Sequence, residues 1–215
     1  MAVSESSAAN YELRDPDVRL MLEVRDDNAA AFEELVLRYQ SRLVTVLGHL
    51  VGAHDLAEDL TQEVFLRVYR ARKKYVPGSK FSTWLFTIAN NVASNARRTQ
   101  SRRREVQPAS AGSSSTSNFS IDQVALAASG QMPARQLDKA EMRDVVHQAM
   151  TVLNDRQRLA LLLNKFEGMS YADIGVTMDL SPQAVKSLLS RARVQLREVL
   201  EPYLEQGKRP EVDHP

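Results

Sequence analysis

The chain has 215 residues in which 28 Lys and Arg nearly balance 27 Asp and Glu, for a formal net charge of +1, so any nucleic-acid surface must come from uneven placement of charge. The absence of cysteine excludes disulfides, thiolate zinc sites and cysteine nucleophiles, and fits a reducing compartment. No apolar run approaches membrane-spanning length, and the N-terminus, MAVSESSAANYELRD, has neither the basic start nor the apolar core of a secretion signal, so a cytoplasmic protein without membrane contact is expected.

Helical spacing of Leu, Val and Ala recurs along most of the chain, Gly and Pro are few, and no window alternates with period two. An all-α fold is predicted, with two small helical domains joined by a flexible linker. Residues 1–14 are small and polar and read as a mobile N-terminus. A helical domain is expected over 15–98. Asp15-Pro16 opens a short helix with Val18, Met21 and Val24 inward, and a long helix follows from Ala29 to Leu50, with Phe32, Leu35, Val36, Tyr39, Leu43, Leu47 and Leu50 on one stripe. Tyr39 is read as core. Gly52 stops that helix, and another starts near Asp55 with Leu56, Leu60, Val64, Phe65 and Val68 inward. Its first half gathers Asp55, Glu58, Asp59, Gln62 and Glu63 on an outer strip, which is either a dipole-matched solvated face or a docking surface for a basic partner helix. A metal site fits less well, because no His lies at ligand spacing and all the carboxylates lie along one helix.

The helix ends basic, at Arg70, Arg72, Lys73 and Lys74, and passes into a Pro- and Gly-containing loop from Tyr75 to Lys80. From Phe81 a further helix is predicted, with Trp84, Leu85, Ile88 and Val92 inward and Asn90, Asn91, Ser94, Asn95, Arg97 and Arg98 on a polar face. A loop with aromatic and basic residues, followed by amides and arginines, suits a single nucleic-acid strand whose bases leave the stack. Trp84, at an inward position, is read as core filler ahead of direct base contact.

Residues 99–137 begin with a basic run, turn Ser- and Ala-rich, and lack an apolar stripe, so they read as a linker in which 121–128 could form a turn of helix. A second helical domain is expected over 138–203. Met142, Val145, Val146, Ala149, Met150 and Leu153 form one stripe. Asn154 or Asp155 then caps a helix with Leu159, Leu162, Leu163 and Phe166 inward, and Gly168 ends it. Ser170, with Asp173 three residues on, caps a short helix carrying Ile174 and Met178. The pattern breaks at Asp179, and Ser181-Pro182 starts another helix with Val185, Leu188, Leu189, Ala192 and Leu196 inward. Gln183, Lys186, Ser187, Ser190, Arg191 and Arg193 remain outside. This is the arrangement of a helix-turn-helix that lays its second helix in a major groove, and periodicity alone also allows, as the lesser reading, a helical hairpin with a solvated face. Residues 204–215 form a charged tail without a signal.

The four histidines form no triad or zinc pattern and no Gly-rich phosphate loop is present, so neither a catalytic site nor a cofactor is expected. What remains is a DNA-binding protein: a free-standing helix-turn-helix regulator whose N-terminal helices dimerise or sense, or one that docks on a basic partner through the acidic strip.

The segments AAFEELVLRY, DLAEDLTQEVFLRVYR, FSTWLFTIANNVASNARR, LNDRQRLALLLNKFEGMSYADIG and SPQAVKSLLSRAR, in that order over nearly all of 15–200, resemble the extracytoplasmic-function sigma factors of the sigma-70 family. The resemblance implies that Asp55, Glu58, Asp59, Gln62 and Glu63 bind the clamp coiled coil of core RNA polymerase. It implies that Tyr75, Lys80, Trp84, Asn90, Asn91, Ser94, Asn95 and Arg98 capture the non-template single strand of the minus-ten element. It further implies that Ser170, Ser181, Pro182, Gln183, Lys186, Ser187, Ser190 and Arg191 read the minus-thirty-five element as duplex, with no metal or cofactor, and it makes an anti-sigma factor a candidate partner. The sequence departs from the family pattern at Asn95, where Asp is usual, and at Arg97, where an apolar residue is usual. Asn154 stands in place of proline, Asp179 in place of the turn glycine and Leu188 in place of a frequent arginine. The changes at Asn95 and Leu188 bear on which bases are preferred.

Overall fold

The structure, a computed structural model, describes Tyr11, Arg14 and residues 15–106 and 145–206; all regular elements among them are helical. The chain divides into two compact units, taken in turn below. The candidate turn of helix at 121–128, most of the expected linker and the tail beyond 206 lie outside the described residues.

In the N-terminal unit α1 is Pro16–Arg25, α2 Ala29–Val51, α3 His54–Ala71 and α4 Phe81–Val106, with a 3-10 turn at Arg72–Lys74. Asp15 caps α1 by accepting from the Asp17 amide (3.0 Å), with Pro16 at the first helical position, and Asn28 caps α2 by accepting from the Ala31 amide (3.2 Å). Gly52 takes the left-handed conformation (φ 74°) that ends α2. α2 packs against α1, α3 and α4. Val18, Met21, Leu35, Leu43, Leu47, Val64, Val68, Phe81 and Leu85 fill the core between them. Tyr39 is buried as expected, and its hydroxyl donates to Asp17 Oδ2 at 2.6 Å.

Two helices face the core differently from the sequence expectation. On α3 the buried line is Ala57, Thr61, Val64, Phe65 and Val68, while Leu56 and Leu60 are half-buried. Thr61 can face inward because its hydroxyl donates to the Ala57 carbonyl (2.8 Å), which leaves its methyl to pack. On α4, Phe81, Phe86, Ala89 and Ala93 join Leu85 and Val92 in the core; Trp84 and Ile88 are half-buried. α4 also runs on to Val106, so residues 99–106, read as the start of the linker, are helical.

In the C-terminal unit a helical segment at 145–151 (α5) is followed by α6 (Asp155–Lys165), α7 (Tyr171–Met178) and α8 (Pro182–Gln206). Asn154 is the cap chosen for α6, because Gln157 closes a capping box: each side chain accepts from the other's backbone amide, at 2.9 and 3.1 Å. Arg158 then takes the trailing carbonyls of the preceding turn, Met150 O at 3.0 Å and Leu153 O at 2.8 Å. Val145, Ala149, Met150, Leu153, Leu159, Leu162, Leu163, Ile174, Val185, Leu189 and Ala192 form the core. Phe166, expected inward, is 52 % exposed, because α6 has already ended when the chain reaches it. α8 continues through Pro202 to Gln206, so its last turn takes in residues 204–206, read as the start of the tail. A proline there removes one hydrogen bond in a closing turn, where little structure remains to be disrupted.

Candidate functional site

The helix-turn-helix is built as its capping residues predict. The Ser170 hydroxyl accepts from the Asp173 amide (3.1 Å) and donates to the Asp173 carboxylate (2.7 Å), while Ser181 Oγ accepts from the Ala184 amide (3.2 Å). Between them Asp179 adopts the left-handed conformation (φ 54°), and the Leu180 amide closes back on the Gly175 carbonyl at 2.9 Å. The turn is so close that a Cβ on Gly175 would lie 2.5 Å from the Leu180 carbonyl oxygen, which makes glycine necessary there. On α8, Val185, Leu189 and Ala192 are buried, with Leu188 and Leu196 half-buried. Ser181, Pro182, Gln183, Lys186, Ser187, Ser190 and Arg191 are all exposed, as is Ser170 at the start of α7. One face of α8 therefore presents an amide, hydroxyls and two cations on a rigid helix, a composition that can meet base edges and phosphates.

On the N-terminal unit, the polar side of α4 has Asn91, Asn95 and Arg98 exposed and Asn90 and Ser94 half-buried, and Lys80 is exposed just before the helix. Trp84 lies between surface and core. Its ring packs at a tilt 4.8 Å from Tyr75 and 6.0 Å from Phe81, which in turn meets Tyr39 edge-on at 5.3 Å. Tyr75 corrects the sequence reading. It was expected to touch the single strand, but its side chain is only 4 % exposed, turned under the loop against Trp84. Val76, beside it, is 62 % exposed instead. Burial, and then the neighbouring Asp15 carboxylate, push the Tyr75 phenol well above its usual value; burial and then the Asp17 carboxylate do the same for Tyr39.

The Tyr75 hydroxyl is buried without a hydrogen-bond partner among the described residues. Tyr75→Phe is therefore expected to raise stability, by about 1 kcal/mol, because it removes an unsatisfied polar group and keeps the ring. A raised tyrosine pKa supports the fold fully up to about pH 10, and that support is lost as pH climbs further, so the variant's stability also falls less steeply above pH 10. Denaturant unfolding at pH 7 and pH 11 reads both effects.

The acidic strip on α3 has Asp55, Glu58, Asp59 and Gln62 exposed. Glu63 is half-buried and paired with Arg67 at 2.7 Å. Beside the strip, and missed in the sequence because Leu66 and Tyr69 fall outside the inward stripe of α3, an apolar groove of about 700 Å³ runs between α2 and α3. Its walls are Phe32, Val36, Val44, Phe65, Leu66 and Tyr69, and Glu58 and Gln62 stand on its lip. Leu66 is 50 % exposed and Tyr69 41 % exposed. Phe32 holds the floor, edge-on to Phe65 (6.3 Å) and 5.1 Å from Tyr69. Among the described residues no cluster of His, Asp and Glu has the arrangement of a metal site.

Residues 35–103 match the model of sigma-70 region 2, and residues 143–196 match the model of sigma-70 region 4. The chain is 33 % identical over 194 residues to the RNA polymerase sigma-H factor of Pseudomonas aeruginosa, covering 90 % of this chain and 98 % of that one. The chain belongs to the extracytoplasmic-function sigma factors of the sigma-70 family.

The Escherichia coli ECF RNA polymerase sigma-E factor is 29 % identical over 188 residues, covering 87 % of this sigma factor and 96 % of the relative. A solved structure of the sigma factor RpoE with the anti-sigma factor NepR from Bartonella quintana shares the fold, with a TM-score of 0.59, 24 % identity and coverage of 79 % of this chain and 96 % of that one. The region 2 match takes in most of α2, α3, loop 75–80 and most of α4, and the region 4 match takes in α5 to α7 and most of α8. Members of the family are transcription initiation factors, and the free-standing regulator is not favoured. No helix among the described residues is long and apolar enough to cross a membrane.

Proposed function

We propose that this sigma factor docks on core RNA polymerase through the acidic strip and groove of α3, captures the non-template strand of the minus-ten element on loop 75–80 and α4, and reads the minus-thirty-five duplex with α8. The observation that carries the reading is the pairing of two unlike surfaces on α3: Asp55, Glu58, Asp59 and Gln62 stand exposed beside an open apolar groove. A basic amphipathic helix satisfies both at once, burying its apolar side while its cations meet the carboxylates. DNA could not dock there, because phosphates would face the carboxylates.

On α4 the exposed Asn91, Asn95 and Arg98 and the half-buried Trp84 supply amides, a cation and a ring edge for unstacked bases. Tyr75 supports that surface from beneath. Melting then needs no covalent chemistry and no catalytic group. Each base held out of the stack offsets a few kcal/mol of lost stacking, and the sum drives the duplex open. The protein works in the cytoplasm, where the polymerase is, as one helical domain that ends with α4, a second that ends with α8, and a connecting segment between them. An anti-sigma factor is a further candidate partner, since the RpoE relative was solved with one.

The test is transcription from a library of promoter sequences by the purified chain, core polymerase, or both. Specific transcripts should appear only with both present and share two spaced motifs. Transcripts that do not depend on the chain would contradict the proposal.

A further inference from the structure

The loop from Tyr75 to Lys80 is held at both ends by the two ends of α1. At the N-cap, Asp15 Oδ1 accepts from the Asp17 amide, while Oδ2 accepts from the backbone amide of Phe81, at 3.0 Å each. Phe81 is the first residue of α4, so a carboxylate 66 residues away in sequence caps the helix that leaves the loop. Just beyond the other end of α1, Asp27 sits in the left-handed conformation (φ 68°) and accepts from Arg72 Nε at 3.1 Å and from Lys73 Nζ. Those two cations are the first two residues of the 3-10 turn that enters the loop. Hydrogen bonds from Lys73 and then Arg72 hold the Asp27 carboxyl below its usual value. Arg72 also stacks 3.9 Å over the Tyr69 ring.

The core of α1 does not require this. Val18, Met21 and Val24 are buried and anchor the helix by themselves. The second Asp15 oxygen and the Asp27 carboxylate instead reach away from α1, to the backbone and cations that bracket the loop. We infer that α1 is a brace, with Asp15 and Asp27 as positioning residues that fix the separation of the loop's ends and hold its exposed residues, Val76 and Lys80, where an unpaired strand can use them. The inference rests on the reading of loop 75–80 given above. Pre-setting a loop removes the ordering cost that strand capture would otherwise bear.

Two variants separate the brace from the fold. Asp15→Ser keeps a hydroxyl able to cap α1 but too short to reach Phe81, and Asp27→Asn tolerates the left-handed backbone while losing its charge. In the full chain, amide hydrogen exchange at Phe81 should accelerate about tenfold in Asp15→Ser, and that at Tyr75 by a similar factor in Asp27→Asn. Holoenzyme carrying the double variant, on a promoter from the library above, should show thymines reactive to permanganate in the melted segment appearing about tenfold more slowly, with core-polymerase affinity within twofold of the unaltered chain. Exchange unchanged in both variants overturns the brace. Opening that is unchanged, or that falls only in step with the thermal midpoint and with polymerase affinity, overturns its positioning role. If the unaltered chain opens no promoter with core polymerase, the reading of the loop fails, while exchange at Phe81 still decides whether the brace exists.

Discussion

Reversing the charge of Asp55, Glu58 and Asp59 together to Lys is expected to weaken binding to core polymerase by about a hundredfold or more. Each exposed pair contributes roughly 0.2 to 1 kcal/mol, and reversal replaces that attraction with repulsion of similar size, so three sites reach two decades. All three side chains are exposed, so the fold should lose little: the favourable dipole interaction of Asp55 in the first turn, about 0.5 kcal/mol, and the 3.6 Å contact of Glu58 with His54. Glu63 is left alone because its pairing with Arg67 ties it to the helix. The groove makes a separate contribution: Leu66→Ala with Tyr69→Ala should raise the dissociation rate without steepening the salt dependence, since it removes apolar contact and no charge. Affinity titration of fluorescent protein with core polymerase at two salt concentrations measures both. Binding of the full chain to a duplex carrying the upstream element should stay within twofold; equal losses on both assays would mean that the α3 surface serves the fold and not the polymerase.

Replacing Lys186 and Arg191 with Ala is expected to lower upstream-element affinity about tenfold for each lost contact and to flatten its salt dependence. Each phosphate contact releases counterions, so each removal should reduce the slope of log K against log salt by about 0.9. Both side chains are exposed on the face opposite Val185 and Leu189, and Arg191 Nε also donates to the Ser187 carbonyl one turn back, which aims the guanidinium along the helix. Gln183→Ala should leave the slope unchanged and relax discrimination at one base position, because an amide reads base edges and neutralises no phosphate. An unchanged slope in the Lys186 and Arg191 variants would remove those residues from the DNA backbone.

What the sequence announced was mostly local. Caps at Asp15, Asn154, Ser170 and Ser181 act within three residues of themselves, and apolar stripes with a 3.6-residue period report which side of a helix is buried. The helix-turn-helix was legible for the same reason, down to Asp179 serving at a left-handed position. Features that join distant segments were not. Nothing in the pattern around Asp15 says that its second oxygen will cap a helix 66 residues on, and Asp27 reads only as a helix stop. Tyr75 was misplaced because a loop aromatic carries no periodic signal; its burial depends on Trp84, one helical turn beyond the loop. The groove escaped because Leu66 and Tyr69 break the inward stripe of α3, and only the angle between α2 and α3 turns them into walls. Thr61 hides its polarity in an i−4 hydrogen bond, which composition cannot reveal.

Permanganate footprinting of one selected promoter, with the chain alone, core polymerase alone and the two together, tests the central claim most directly. The account predicts reactive thymines in the downstream element only when both are present, and their loss when Asp55, Glu58 and Asp59 are reversed. Specific protection of the promoter by the chain alone, indifferent to polymerase and to that reversal, would contradict it.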